Sequence, residues 1–178
     1  IWYTGDQQGF SPNTATISQT DELNLQAYLD QDNRKVIAFS PGYLRPYSDR
    51  SWDAISNTFI NTYLGATMGR FDFNDNNLTV SGTADTVTAG VTLQVAGSDA
   101  IRAYTSVLEP AEGTATLLTT PLDPDGSGTV RAIAIATGRQ SVGAAATSTI
   151  VFAGFAFENI VDIGPNNKQA LMGRLLDY

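Results

Sequence analysis

Three groups of residues in this chain are of types that could do chemistry. Ser40 closes an apolar run and precedes Pro41-Gly42, a position where a hydroxyl could act as a nucleophile. Asp6 and Glu158 each end an apolar run, and together they could form a carboxylate pair of the glycosidase kind. Asp123-x-Asp125-x-Ser127-Gly128 repeats the first half of an EF-hand calcium loop, with side-chain oxygens followed by the turn glycine. Each group lacks a component. The sequence holds no histidine and no cysteine, so Ser40 has no imidazole to take its proton. Zinc, copper and iron sites lean on the same two side chains. Lys35 is an alternative base, but it begins the strand that Ser40 ends, about four extended residues away. The calcium loop has Ala134 where the bidentate glutamate belongs, and a hairpin turn explains its Asp-Gly equally well.

The remaining polar candidates surround the same strand ends. If Glu158 is buried it needs a partner, which Arg45 or the backbone amides of a helix start could supply. Tyr43 and Tyr47 flank Arg45-Pro46 in the loop after Ser40, which either contacts a ligand or covers the open end of the sheet. Asp6, Ser40, Tyr43, Arg45 and Glu158 therefore define a candidate rim pocket.

The elements that would position these residues are legible from periodicity. Ile1-Trp2-Tyr3-Thr4 reads as the end of a buried strand. Ser18 or Thr20 caps a helix running to about Asp30, with Asp21 and Glu22 suited to its positive end and Leu25, Tyr28 and Leu29 on its apolar side. Val36 to Phe39 is a continuous apolar run, as expected of a strand covered on both faces. Trp52, Ile55, Phe59 and Tyr63 fall on one stripe of a second helix starting near Ser48 or Asp49. Strand, helix, strand, helix predicts a parallel sheet with right-handed crossovers. From Phe71 to about Ser106 the pattern alternates with period two, predicting hairpins with strands at 78–80, 86–88 and 91–95. Further strands are expected at 114–118, 131–136 and 149–157. Gly164-Pro165 opens a last helix with Leu171, Met172, Leu175 and Leu176 as its apolar face.

Three segments resemble the class I glutamine amidotransferase-like, flavodoxin-type domain found as an accessory module in large secreted bacterial proteins, often peptidases. Ile1-Trp2-Tyr3-Thr4-Gly5-Asp6 is similar to that family's W-x-T-G strand end. Asp21, Leu25, Tyr28-Leu29 and Val36 to Gly42 resemble its helix and following strand. Phe152 to Ile160 with Leu171 to Tyr178 resembles its F-x-G-F-x-F-E-x-I and closing LL-x-R-x-L-D-Y segments. The resemblance implies that Ser40 stands where active relatives carry a nucleophilic cysteine. It also implies a first strand before Ile1, supplied by the rest of the parent polypeptide or by a neighbouring chain.

Composition narrows the context. A net charge of −8, with Lys35 and Lys168 the only lysines, argues against nucleic acid and anionic membrane surfaces. Richness in Thr, Ser, Asn, Gly and Ala suggests an extracellular or cell-surface protein. A sequon, Asn77-Leu78-Thr79, is present. The expectation is a single α/β domain over 1–178, a three-layer sandwich with a mainly parallel flavodoxin-like sheet, a missing first strand and a β-rich insertion at about 71–135. Its expected role is that of a non-catalytic accessory domain of a secreted, peptidase-associated protein, with no cofactor unless calcium sits at Asp123, Asp125 and Ser127. The alternatives are a glycan- or small-molecule-binding module using the rim pocket, and a serine hydrolase or glycosidase.

Overall fold

The computed structural model describes residues 1–4, 16–48, 51–74, 78–96, 103–121, 127–139, 147–162 and 164–178, with the backbone alone described at 72–74 and 103–104. The chain passes from β1 (Trp2–Tyr3) to α1 (Gln19–Leu29) and β2 (Lys35–Phe39). Helix α1 begins where the sequence supplies a reciprocal cap. The Ser18 hydroxyl accepts the Asp21 N–H, and Asp21 accepts the Ser18 N–H at 2.9 Å. At its other end Asp30 receives the Tyr63 hydroxyl and, at 3.3 Å, the Arg139 guanidinium, which lies 4.1 Å from the centre of the Tyr63 ring.

After β2 come β3 (Asp53–Ala54), a π-helical segment (Phe59–Leu64) and β4 (Ala66–Asn74). The strands β5 (Leu78–Gly82), β6 (Thr92–Val95), β7 (Ala103–Pro110) and β8 (Ala115–Thr120) lead into β9 (Arg131–Arg139) and β10 (Ser148–Ala153). A 3₁₀ turn (Phe157–Asn159), β11 (Ile160–Val161) and α2 (Lys168–Asp177) complete the described chain.

Among the described residues, all eleven strands join one sheet. Strand β2 pairs in parallel with β1 on one side and β10 on the other, whereas every other pairing among the named strands is antiparallel. Strand β9 organises the sheet. One of its edges carries β8; the other carries β10 and, beyond the end of β10, β7 through Leu108↔Ala132. The sheet forks there, with β7, β4 and β3 forming one arm. The other arm runs through β8, β5 and β6, and it curls until β11, shortly after β10 in sequence, pairs with β6.

Alternation along the central strands feeds two cores. Val36, Ala38, Ile150 and Phe152 pack beneath α1 and the π-helical segment. Ile37, Phe39, Val151 and Ala153 face the opposite way, against α2 and the curled β5–β6 arm.

This architecture corrects the expected one. The mainly parallel, three-layer flavodoxin-like sandwich is replaced by a curled, mixed and mostly antiparallel sheet, and β4 to β9 form the greater part of that sheet rather than an insertion into it. The parallel sheet was expected from the alternation of strand and helix, but the second helix of that pattern does not form, and the continuous apolar runs of the antiparallel pair β9–β10 are covered on their second face by the curled arm and α2. The helix expected from Trp52 to Tyr63 is also absent. Ile55 reaches the core from the residue after β3 and Phe59 from a π turn, while Trp52 lies under the Arg131 guanidinium at 4.4 Å. Residues 86–88 form turns instead of a strand, and α2 starts at Lys168, capped by the Asn167 side chain instead of opening on Pro165. The parallel strands β1, β2 and β10 are contiguous, with no gap left between them for another strand.

The fork requires a close backbone approach at Gly154. A Cβ there would fall 2.0 Å from the Ser106 carbonyl oxygen, and the Ser106 N–H donates to the Gly154 carbonyl at 2.6 Å. Gly154→Ala is expected to cost about 2–3 kcal/mol, since backbone must shift to admit the methyl group. Urea denaturation measures this, and an unchanged midpoint would contradict the described approach of β7 to the end of β10.

Candidate functional site

The segment after β2 brings several expected residues together, but not as a rim pocket. Ser40 is completely buried, held through its backbone N–H to the Ala153 carbonyl at 3.0 Å. Its hydroxyl oxygen lies 3.0 Å from the Thr4 hydroxyl, which donates to it, and 2.6 Å from the Thr16 hydroxyl. These neighbours are hydroxyls of ordinary acidity. Neither can hold a proton taken from serine in the way a general base must.

Tyr43, three residues on, is also fully buried, and its hydroxyl points elsewhere. It donates at 2.7 Å to Glu22, a carboxylate only 6% exposed in the first turn of α1. The Tyr47 hydroxyl donates to the same oxygen at 2.9 Å, and the Asn57 amide reaches both carboxylate oxygens at 3.3 and 3.2 Å and the Tyr47 oxygen at 3.0 Å. Asn57 in turn accepts the Ile60 N–H at 2.8 Å, securing the start of the π-helical segment. Helix α1, the 43–47 turn and the π-helical segment thus share one acceptor. The rings complete the packing: Tyr43 meets Tyr47, Phe59 and Phe152 edge-on, at centroid distances of 5.9, 6.3 and 5.9 Å.

This cluster shifts both phenols in one direction. Burial raises the pKa of Tyr43 far above its usual value, and the nearby Glu22 carboxylate adds to the effect. Tyr47 is raised for the same reasons, burial first and then its hydrogen bond to Glu22. Both hydroxyls are therefore proton donors fixed in place and not bases.

The other expected site residues are dispersed. Arg45 is half-buried with its guanidinium 5.2 Å from the centre of the Phe71 ring. Glu158 is exposed in the 3₁₀ turn, so the buried partner expected for it is not required. Asp6 lies outside the described residues, as do Asp123 and Asp125. Ser127, the remaining residue of the calcium pattern, accepts the Thr129 N–H at 3.2 Å and an Arg131 N–H at 3.3 Å. Among the described residues no group of three or more carboxylates gathers in a metal-holding arrangement.

The sequence reading assigned Glu22 to the helix dipole and missed its burial. Its position carried a usable signal. Glu22 lies three residues before Leu25 and seven before Leu29, on the stripe that packs inward, and a carboxylate on that stripe requires donors.

No family model, no curated protein and no solved structure is detectably similar to the chain.

Two measurements check this description. Tyr43→Phe is expected to destabilise the protein by about 1.5–3 kcal/mol, since a buried carboxylate loses a donor, whereas Tyr28→Phe on the exposed side of α1 should be near neutral. Stability should also fall at alkaline pH. The unfolded phenols ionise near the ordinary value of 10.0 while the folded ones resist, so stability is full below that pH and declines above it. In the Tyr43→Phe/Tyr47→Phe double variant this alkaline decline should be shallower, and an unaltered decline would contradict the assignment.

Proposed function

We propose that this chain is a non-catalytic accessory or interaction domain of a larger protein. One observation carries the reading: the hydroxyl best placed by sequence to act as a nucleophile, on Ser40, is fully buried and engaged with the hydroxyls of Thr4 and Thr16. The absence of histidine and cysteine from the sequence supports it, since a serine nucleophile needs a base and a cysteine one needs its own thiolate. The Glu22 cluster supports it too. That carboxylate spends its acceptor capacity on Tyr43, Tyr47 and Asn57, which suits an anchor better than a proton shuttle.

The proposal extends to a secreted or cell-surface parent, supported by the small, hydroxyl-rich composition and the scarcity of lysine. Association with a peptidase is supported by the three-segment resemblance alone.

A fluorophosphonate probe is expected to leave Ser40 unlabelled. Ser40→Ala should leave turnover of amide, ester and glycoside substrates at the buffer rate, as in the unaltered protein, and should shift stability by about 1 kcal/mol. Labelling of Ser40, or turnover lost on Ser40→Ala, would overturn the proposal.

A further inference from the structure

The two helices are held to the sheet in different ways. Helix α1 carries Glu22, whose buried carboxylate is fixed by Tyr43, Tyr47 and Asn57. Helix α2 has no counterpart to it. Its fully buried residues are Leu171 and Leu175, and both are apolar. Among the described residues no backbone hydrogen bond joins α2 to a strand, whereas the central strand β10 is laddered to β2 on one edge and to β9 on the other.

The polar ties that α2 does have are exposed. The Arg174 guanidinium donates to the Val87 and Ala89 carbonyls at 2.9 and 3.0 Å, and the Lys35 ammonium donates to the Leu176 carbonyl at 2.9 Å. At the other end Asp162 accepts the Lys168 N–H at 3.0 Å. Water competes for each of these groups, so each bond adds little net stability.

Gly173 weakens the helix itself. Glycine is among the least favourable residues inside a helix, and a Cβ here would meet no atom within 4 Å, so packing does not require it. A helix of 10 residues that contains glycine does not hold its shape alone in water. Leaving the core and unravelling are therefore one event for α2. The chain before it turns through Gly164, whose φ of 57° is left-handed and whose Cβ position is open.

We propose that α2 is a lid on the second core, opening as a unit while the sheet and α1 remain folded. Opening withdraws Leu171 and Leu175 and uncovers the core around them, beside Phe157, whose ring lies 5.0 Å from that of Phe39. The protein thereby has a closed form in which this core is sealed and an open form that shows an apolar patch, in equilibrium with one another. The inference is independent of the non-catalytic reading, and either can fail alone.

Amide hydrogen exchange, followed by NMR in the full chain, tests the lid. The amides of Leu171 to Leu176 should share one opening constant, larger by about a hundredfold or more than that of the β9 and β10 amides, and larger than that of Leu25 to Leu29 in α1. Arg174→Gln should raise this constant about fivefold along the whole helix, and Gly173→Ala should lower it about fivefold. Gly154→Ala, which loosens the fork in the sheet, should accelerate β9 and β10 about thirtyfold and leave α2 unchanged. Exchange of α2 no faster than that of β9 and β10 would overturn the proposal, since the helix would then leave only in global unfolding. Acceleration of α2 by Gly154→Ala to the same degree as the sheet would overturn it for the same reason. Rates that fall residue by residue from Asp177 inward would also overturn it, because that pattern belongs to a fraying end.

Discussion

A carboxylate cannot be buried among apolar side chains without donors, and the half of the molecule beneath α1 is arranged around that constraint at Glu22. Its donors come from two separate stretches of chain: Tyr43 and Tyr47 from the turn after β2, and Asn57 from the approach to the π-helical segment. Apolar packing brings these stretches together, since Leu25, Tyr43, Phe59 and Phe152 share one core. The carboxylate then fixes how they meet. A hydrophobic contact tolerates sliding, whereas four distances between 2.7 and 3.3 Å to one carboxylate do not.

The same constraint governs the region where chemistry was expected. The 41–47 turn follows Ser40 and would have to present its hydroxyl to solvent in an active enzyme. Instead Tyr43 and Leu44 are drawn inward, and Ser40 is left beneath the chain with Thr4 and Thr16. Ser106 binds the same turn from its other side, donating to the Pro41 carbonyl at 2.7 Å. Ser40 and Ser106 at this end of the sheet are thus occupied within the protein. Among the described residues, an open apolar surface lies on the opposite face of the sheet, along α2.

Several elements were legible in the sequence because local chemistry determined them. The Ser18 cap and the Leu25–Leu29 stripe located α1, the apolar run 36–39 located β2, and period-two alternation located β5 and β6. Strand direction was legible at β2, which lies parallel to both neighbours, but not across the rest of the sheet. A run such as Val36 to Phe39 reports that both faces are covered, but it carries no information on what covers them, and here part of the cover is the same sheet curled over. Residues 52–63 misled for a related reason. Ile55 and Phe59 are buried as their spacing suggests, but that spacing is met by short extended and π-helical pieces, and Trp52 is claimed by Arg131 from a distant strand. Of the candidate residues, Tyr43 lies in the turn that follows Ser40, as its sequence position implies. Glu22 left a signal in its place on the inward stripe of α1, whereas Thr16 and Asn57 became visible as partners only once the chain was folded.

The central claim is that Glu22 acts as a structural anchor through its hydrogen bonds with the surrounding hydroxyls and amide. A double-mutant cycle on unfolding free energy with Glu22→Gln and Tyr43→Phe tests it most directly. The expected coupling is about 1 kcal/mol or more, with the double variant less destabilised than the sum of the single ones. Strict additivity, or a Glu22→Gln variant as stable as the parent, would contradict the account.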